Sequence, residues 1–286
     1  MSVKLKKIIA LAVAAVVLAT LAVWTVWGNT ALELNRITVS GERLPKGFDG
    51  FRIAHVSDVH NTEFGTENAK LLDMLREASP DIIAITGDLI DSRKTDIDIA
   101  LRFVEAAAEI APCYYVTGNH EARISDYHKL RDGLSALGVY ILEDEAAEVE
   151  FNGEKITVFG VDDPGFQTDY LSDNAQAMMK SKLNKISDTG NSFTVLLSHR
   201  PELFETYADS GADLVLSGHA HGGQFRLPFI GEFIAPNQGL FPEYDAGLYI
   251  SKNTNMVVSR GIGNSIIPLR FNNRPEVILI ELKAAE

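Results

Sequence analysis

Residues 82–91 read Ile82-Ile83-Ala84-Ile85-Thr86-Gly87-Asp88-Leu89-Ile90-Asp91, an apolar run that ends in a glycine and a carboxylate. An uninterrupted apolar stretch of this length suits a strand covered on both faces, and the Gly-Asp step puts a carboxylate where the chain leaves the sheet. The same pattern recurs along the chain. Phe51 to Val56 leads to Asp58 and His60, Tyr114 to Thr117 to Gly118, Asn119 and His120, and Thr194 to Leu197 to His199. Leu214 to Ser217 leads to Gly218, His219 and His221. Between these runs, helical spacing predicts helices near Glu67 to Ala78, Asp96 to Glu109, Ser125 to Leu137 and Ser172 to Lys185. Strands alternating with amphipathic segments predict an α/β layered fold whose ligands gather at the C-terminal strand ends.

Two more strands are expected at Arg36 to Val39 and Ile156 to Val161. After Gly222, strand runs at Gly247 to Ser251, Met256 to Ser259 and Glu276 to Leu282 are separated by Gly, Pro and Asn, with Asn253-Thr254-Asn255 read as a hairpin turn. The second half should therefore supply a mixed or antiparallel sheet. The stretch Phe225 to Phe241, with Leu227, Phe229, Ile230, Phe233 and Ile234, reads as core strands, the alternative being an exposed apolar rim for a lipid substrate.

The chain has 286 residues and a net charge of -13. Beyond its apolar start about 245 residues remain, enough for one well-buried α/β domain. The acidity disfavours nucleic acid, whose binding rests on Lys and Arg neutralising phosphates. A small phosphate ester stays admissible if bound cations supply the local positive charge. Cys113 is the only cysteine, which excludes an intrachain disulfide and thiolate zinc clusters and leaves a small buried hydrophobe.

Ile8 to Trp27 is a 20-residue run without a charged side chain, preceded by Lys4, Lys6 and Lys7 and closing on Trp24 and Trp27. At 1.5 Å per residue it spans a hydrocarbon core of about 30 Å, and it is longer than the apolar part of a cleaved signal peptide. The expected organisation is a short basic N-terminus at 1–7, a transmembrane anchor at 8–27, a connector and first strand at 28–45 and the catalytic domain at 46–286. The leading lysines favour a cytoplasmic N-terminus, which places the catalytic domain of a single-pass membrane protein outside the cytoplasm.

Five of the seven histidines fall at the strand ends, with carboxylates and an amide but no sulfur. That donor set suits Mn, Fe or Zn. His55 and His128 remain, read as strand packing and surface respectively.

In this order, Asp58-Val59-His60, Gly87-Asp88-Leu89-Ile90-Asp91, Gly118-Asn119-His120-Glu121, Ser198-His199 and Gly218-His219-Ala220-His221 resemble the five-part signature of the calcineurin-like metallophosphoesterases. Leu197 to Pro201, Gly218 to Gln224 and Ser259 to Asn264 through Arg270 to Pro275 are similar to the membrane-associated, YkuE-like and YaeI-like branch. The resemblance implies a four-layer αββα sandwich with two divalent ions. Asp58, His60, Asp88 and His221 would hold one ion and Asp88, Asn119, His199 and His219 the other, with Asp88 bridging.

Such a pair of ions activates a hydroxide for attack on phosphorus. The implied catalytic partners are His120, assisting the leaving group, and Asp91, pairing with His120 and favouring its imidazolium. For Asp91 and Glu121 the alternative is a turn or capping carboxylate. Phosphoprotein phosphatases of this superfamily carry arginine directly after the second aspartate, whereas this chain has Ser92 and then Arg93, which argues against a phosphoprotein substrate. Arg123, Arg200, Arg226 and Arg270 are candidate phosphate ligands, read as surface charges. The expected activity is hydrolysis of a phosphodiester or phosphomonoester on a lipid or cell-envelope substrate. The alternatives are a pyrophosphohydrolase of a nucleotide-activated lipid or sugar and a non-catalytic, membrane-anchored binding protein.

Overall fold

A computed structural model describes residues 2–167, 173–190, 192–227, 231–232, 234–264 and 269–285. The first half runs α1 (Val3–Thr30), β1 (Glu33–Gly41), β2 (Arg52–Val56), α2 (Ala69–Ala78), β3 (Ile82–Thr86), α3 (Ile97–Ala108), β4 (Cys113–Val116), α4 (Tyr127–Ala136) and β5 (Tyr140–Ile141). The second runs β6 (Glu145–Phe151), β7 (Glu154–Gly160), α5 (Asp173–Leu183), β8 (Thr194–Leu197), α6 (Phe204–Ser210) and β9 (Leu214–Ser217). Two short ribbons follow, β10 (Arg226–Leu227) with β11 (Gly231–Glu232) and β12 (Ile234–Ala235) with β13 (Gly239–Leu240), and then β14 (Gly247–Ser251), β15 (Thr254–Val258) and β16 (Glu276–Ala284).

Two six-stranded sheets result, ordered β1-β16-β2-β3-β4-β5 and β14-β15-β9-β8-β7-β6. Both are mixed. β2, β3 and β4 run parallel beside antiparallel β16, and β7, β8, β9 and β15 run parallel between antiparallel β6 and β14.

The period of two decides what each strand faces. In β2 and β3, Ile53, Ile82 and Ala84 enter the core between the sheets, against Val158, Val195, Leu197, Leu214 and Leu216. Their neighbours Ala54, Val56, Ile83 and Ile85 point the other way, onto Leu71 and Leu75 of α2 and Phe103 and Val104 of α3. On the far side, Leu196, Val215 and Met256 meet Met179 and Leu183 of α5 and Phe204 and Tyr207 of α6. The layers are thus helix, sheet, sheet, helix. Each fully buried Leu or Phe contributes about 1.5 to 3 kcal/mol relative to exposure, so the covered faces fix the register of both sheets.

The expected helices appear with small shifts, and Asp96 caps α3 by accepting from the Ile99 N–H (3.1 Å). The hairpin turn falls earlier than expected. Ser251 pairs with Thr254, so the turn is Lys252-Asn253, and Thr254 already belongs to β15 with its hydroxyl donating to the Ala212 carbonyl (2.6 Å).

α1 is long and apolar enough to cross a membrane, and its apolar window is not buried against the domain. At its end the Arg274 guanidinium lies 4.7 Å over the Trp27 ring and donates to the Ala31 and Leu32 carbonyls.

Candidate metal centre

Every motif glycine and ligand sits where a strand gives way to a loop at one edge of the two sheets. Asp58, His60, Asp88, His219 and His221 all have positive φ, between 48° and 65°. Left-handed backbone at five non-glycine residues is costly and collects where surrounding structure imposes it for function. The loops also approach each other closely. A Cβ on Gly218 would collide with the side chains of Ser57 and Asp58, and one on Gly118 with the Asp88 carboxylate. Only glycine lets these turns close around the two aspartates.

The structure brings all seven predicted ligands together, each buried. Asp58, His60 and His221 form one cluster and Asp88, His199 and His219 another; a third grouping, His60, Asp88 and His120, overlaps both. Asp88 is the junction. Its Oδ1 accepts from the His120 N–H (2.8 Å), which leaves Oδ2 facing His199 Nε2 at 3.3 Å, His60 Nε2 at 3.6 Å and His120 Nε2 at 4.0 Å. Asp58 Oδ1 faces His221 Nε2 at 3.3 Å and His60 Nε2 at 3.8 Å, and its carboxylate accepts from the His219 N–H.

A divalent cation fits these donors. Two pairs of imidazole nitrogens point at each other, His60 Nε2 to His221 Nε2 and His199 Nε2 to His219 Nδ1, both at 3.1 Å. Burial holds His60 down at about 3 and pushes His219 and His221 well below the usual histidine range, so these rings are neutral. Neutral nitrogens so directed satisfy a cation better than each other.

His199 differs. Burial is the largest single influence and lowers its pKa, but Asp88, Asp58 and Asp163 together outweigh burial and raise it to about 10. The same negative potential that draws this proton would draw a metal ion, and His199 would give up the proton on ligating one. The His199 Nδ1 lies 2.7 Å from the Thr86 carbonyl, a contact that fixes the ring with Nε2 inward. With the Asn119 nitrogen toward His219 Nδ1 that separation is 2.7 Å, and its oxygen accepts from Arg123 Nη1 at 3.0 Å. Hydrogen bonding alone favours that orientation, whereas a cation favours the amide oxygen inward.

The predicted partnership of His120 and Asp91 is changed by a side chain that sequence could not place. Arg93 forks onto the Asp91 carboxylate through Nε (3.1 Å) and Nη2 (2.8 Å). His120 Nδ1 instead accepts from the Ser92 N–H (2.9 Å), with Asp91 Oδ1 at 3.5 Å. Burial lowers the His120 pKa despite the opposing pull of Asp88 and Asp91, so the ring is neutral rather than the expected imidazolium. With Nδ1 an acceptor, the proton sits on Nε2, on the cluster side.

Two further expectations are corrected. Arg200 and Arg270 are buried, not surface charges. Arg200 forks onto Asp163 (2.7 and 2.9 Å) with Nη1 3.5 Å from His219 Nε2, and Arg270 reaches to 3.4 Å from His221 Nδ1. Both flank the histidines from behind. Fully buried, Glu121 accepts from the Asp88 and Gly118 N–H groups (both 2.8 Å) and the Ile90 N–H (3.2 Å), clamping two ligand loops together.

His55 packs within the strand, with Nε2 2.8 Å from Thr86 Oγ1, and His128 is exposed, as read. The side chains of Leu227, Phe229, Ile230, Phe233 and Ile234 lie outside the described residues. Next to them, Leu240 and Phe241 are exposed, and the β12–β13 turn sets the Asn237 amide against His219 Nε2.

Residues 51–223 match the calcineurin-like phosphoesterase family, and the chain belongs to it. It is 32% identical over 262 residues to the uncharacterised metallophosphoesterase YkuE of Bacillus subtilis, covering 88% of this chain and 86% of that one. Identity is 28% over 243 residues with the phosphodiesterase YaeI of Escherichia coli, covering 81% and 82%. With the transmembrane protein with metallophosphoesterase domain of Danio rerio it is 29% over 262 residues, covering 87% of this chain and 57% of that one. The family and the buried His/Asp clusters point to a metal-binding hydrolase, and the apolar helix together with the transmembrane relatives to membrane association.

Proposed function

We propose that this protein hydrolyses a phosphodiester or phosphomonoester with two divalent ions, Mn, Fe or Zn, on a lipid or cell-envelope substrate outside the cytoplasm. The observation that carries the reading is the meeting of two buried donor clusters at one oxygen, Asp88 Oδ2. Asp58, His60, His221 and Asp88 would hold one ion, and Asp88, Asn119, His199 and His219 the other. When bound, such ions supply Lewis acidity and neutralise the phosphoryl oxygens, which lets water attack phosphorus.

The chain's own groups supply the rest. His120, held through Nδ1 by the Ser92 N–H, presents its Nε2–H for donation to a phosphoryl or leaving-group oxygen. Asp91 acts one step removed. Its carboxylate accepts from the Arg93 N–H (2.9 Å) and guanidinium, which shapes the turn that offers the Ser92 N–H. Support for a lipid or envelope ester comes from the apolar α1 and from exposed Leu240 and Phe241 beside the turn that touches His219. Lys4, Lys6 and Lys7, in the first turns of α1 and ahead of its apolar run, support an extracytoplasmic domain.

The test is hydrolysis of bis(p-nitrophenyl) phosphate with added Mn(II), Fe(II) or Zn(II). Asp88→Asn should lose on the order of a thousandfold in kcat, as removal of several kcal/mol of charge stabilisation implies. His120→Ala should lose about a hundredfold or more while still binding Mn(II). Undiminished turnover in Asp88→Asn overturns the shared-ligand reading, and no turnover with any of the three metals favours a binding protein.

A further inference from the structure

The wall of the metal centre reaches the end of the membrane helix. Asn29, in the last turn of α1, accepts from the Arg270 N–H and donates to the Arg270 carbonyl, both at 2.8 Å, a two-way pairing like one rung of a sheet. The same amide donates to the Thr25 carbonyl (2.7 Å), which ties that rung to the helix.

Arg270 is fully buried. Its side chain donates to Asn264 Oδ1 (3.0 Å), the Arg260 carbonyl (2.7 Å) and the Gly263 carbonyl, and its Nη2 lies 3.4 Å from His221 Nδ1. Among the described residues it forms no direct ion pair, so carbonyl oxygens and the nearby charge of Asp58 must sustain a buried cation. The segment it grips backs onto Asp58. The Ile262 N–H donates to the Ser57 carbonyl (3.0 Å), the Gly263 N–H to the Asp58 carbonyl (2.6 Å), and a Cβ on Gly261 would press on the Asp58 side chain. Asp58 and His221 are two of the three corners of the first cluster.

A flexible tether would hold a domain at a membrane without any of these contacts. We infer that Asn29 is a positioning residue: through Arg270, the end of the membrane helix sets the placement of Asp58 and His221, and with it the divalent-cation affinity of the first cluster. The helix is then part of the frame of the centre as well as its anchor. This inference rests on the proposed metal function, because it assigns Asn29 a role toward ions that the clusters would hold.

The experiment measures Mn(II) affinity of the full chain in detergent micelles by isothermal titration calorimetry, alongside bis(p-nitrophenyl) phosphate turnover. Asn29→Ala is compared with wild type and with Trp24→Ala, an exposed residue of the same helix. Asn29→Ala should weaken Mn(II) binding on the order of tenfold, the lower end of what loss of an outer-shell support costs, with near-UV circular dichroism unchanged. Trp24→Ala should bind as wild type. If Asn29→Ala does not fold, Asn29→Asp keeps the acceptor for the Arg270 N–H, loses both donated bonds, and should show an intermediate loss. Wild-type affinity in a folded Asn29 variant, or equal loss in Trp24→Ala, overturns the inference and leaves the hydrolase reading standing. A wild type that binds Mn(II) but turns over no ester defeats the hydrolase reading, and the affinities still decide the role of Asn29. A wild type that binds no Mn(II) defeats both.

Discussion

Asp162, in the turn after β7, shows how burial governs titration close to the centre. It accepts from Thr117 Oγ1 (2.9 Å), and burial raises its pKa from 3.8 to about 6, with Glu143 and Asp144 pushing the same way. A raised carboxyl pKa means that the native state binds the proton more tightly than the unfolded chain. Stability from this group is therefore greatest below about pH 4 and falls as pH rises toward 6. Asn keeps the acceptor for Thr117 and removes the charge. Asp162→Asn should exceed wild type by about 1 to 2 kcal/mol at pH 7.5, a figure reduced for partial solvent contact, and match it near pH 4. Urea unfolding at the two pH values checks this, and a gap independent of pH would mean that Asp162 ionises normally. At this scale the candidate ligands are legible in the sequence, because a strand end announces its polar residue by position. The state of His120 is not. It depends on Arg93 reaching back to Asp91 and on a backbone N–H of Ser92, neither of which has a periodicity to read.

Elements were legible where burial is one-sided or complete. β2 and β3 are apolar runs because both faces are covered, and α2 and α3 show apolar stripes because one face meets the sheet. β6 is not legible in the sequence because it is an edge strand in which only Val149 is buried, so Glu145-Ala146-Ala147-Glu148 gives no alternation. α6 is seven residues, too short for a helical period to show. The β14–β15 turn differs from expectation for another reason: Asn253 and Asn255 carry turn propensity, but Lys252 takes the left-handed backbone, with φ 53°. That conformation costs an ordinary L-residue about 1 kcal/mol or more, and asparagine tolerates it better. Lys252→Asn should therefore stabilise the protein by about 0.5 kcal/mol and raise Tm by roughly 1 to 2 °C. The Lys252–Asp209 ion pair is exposed on both sides and offsets little of this. A lower Tm in differential scanning calorimetry would show that the pair outweighs the backbone.

At the scale of the whole molecule, the proposed hydrolysis would require a chain of net charge -13 to bring an anionic ester to a centre built on buried carboxylates. On the proposed reading, two divalent ions would reverse the potential locally, within the clusters, but would leave the protein strongly negative at distances that diffusion samples. Long-range steering therefore opposes substrate entry, the reverse of an electrostatically funnelled enzyme. Salt should relieve that opposition, because the Debye length shrinks from about 30 Å at 0.01 M to about 8 Å at 0.15 M, while contacts inside the buried centre are screened far less. For the Mn(II)-saturated protein, kcat/KM for bis(p-nitrophenyl) phosphate should rise a few-fold over that range through a falling KM, with kcat nearly constant. An uncharged sulfonate ester of similar size, used as a competitive inhibitor, should bind with an affinity that salt leaves unchanged. If kcat/KM for the anionic diester instead falls with salt, the field at the mouth of the centre is positive, and the metal ions dominate well beyond their own ligands.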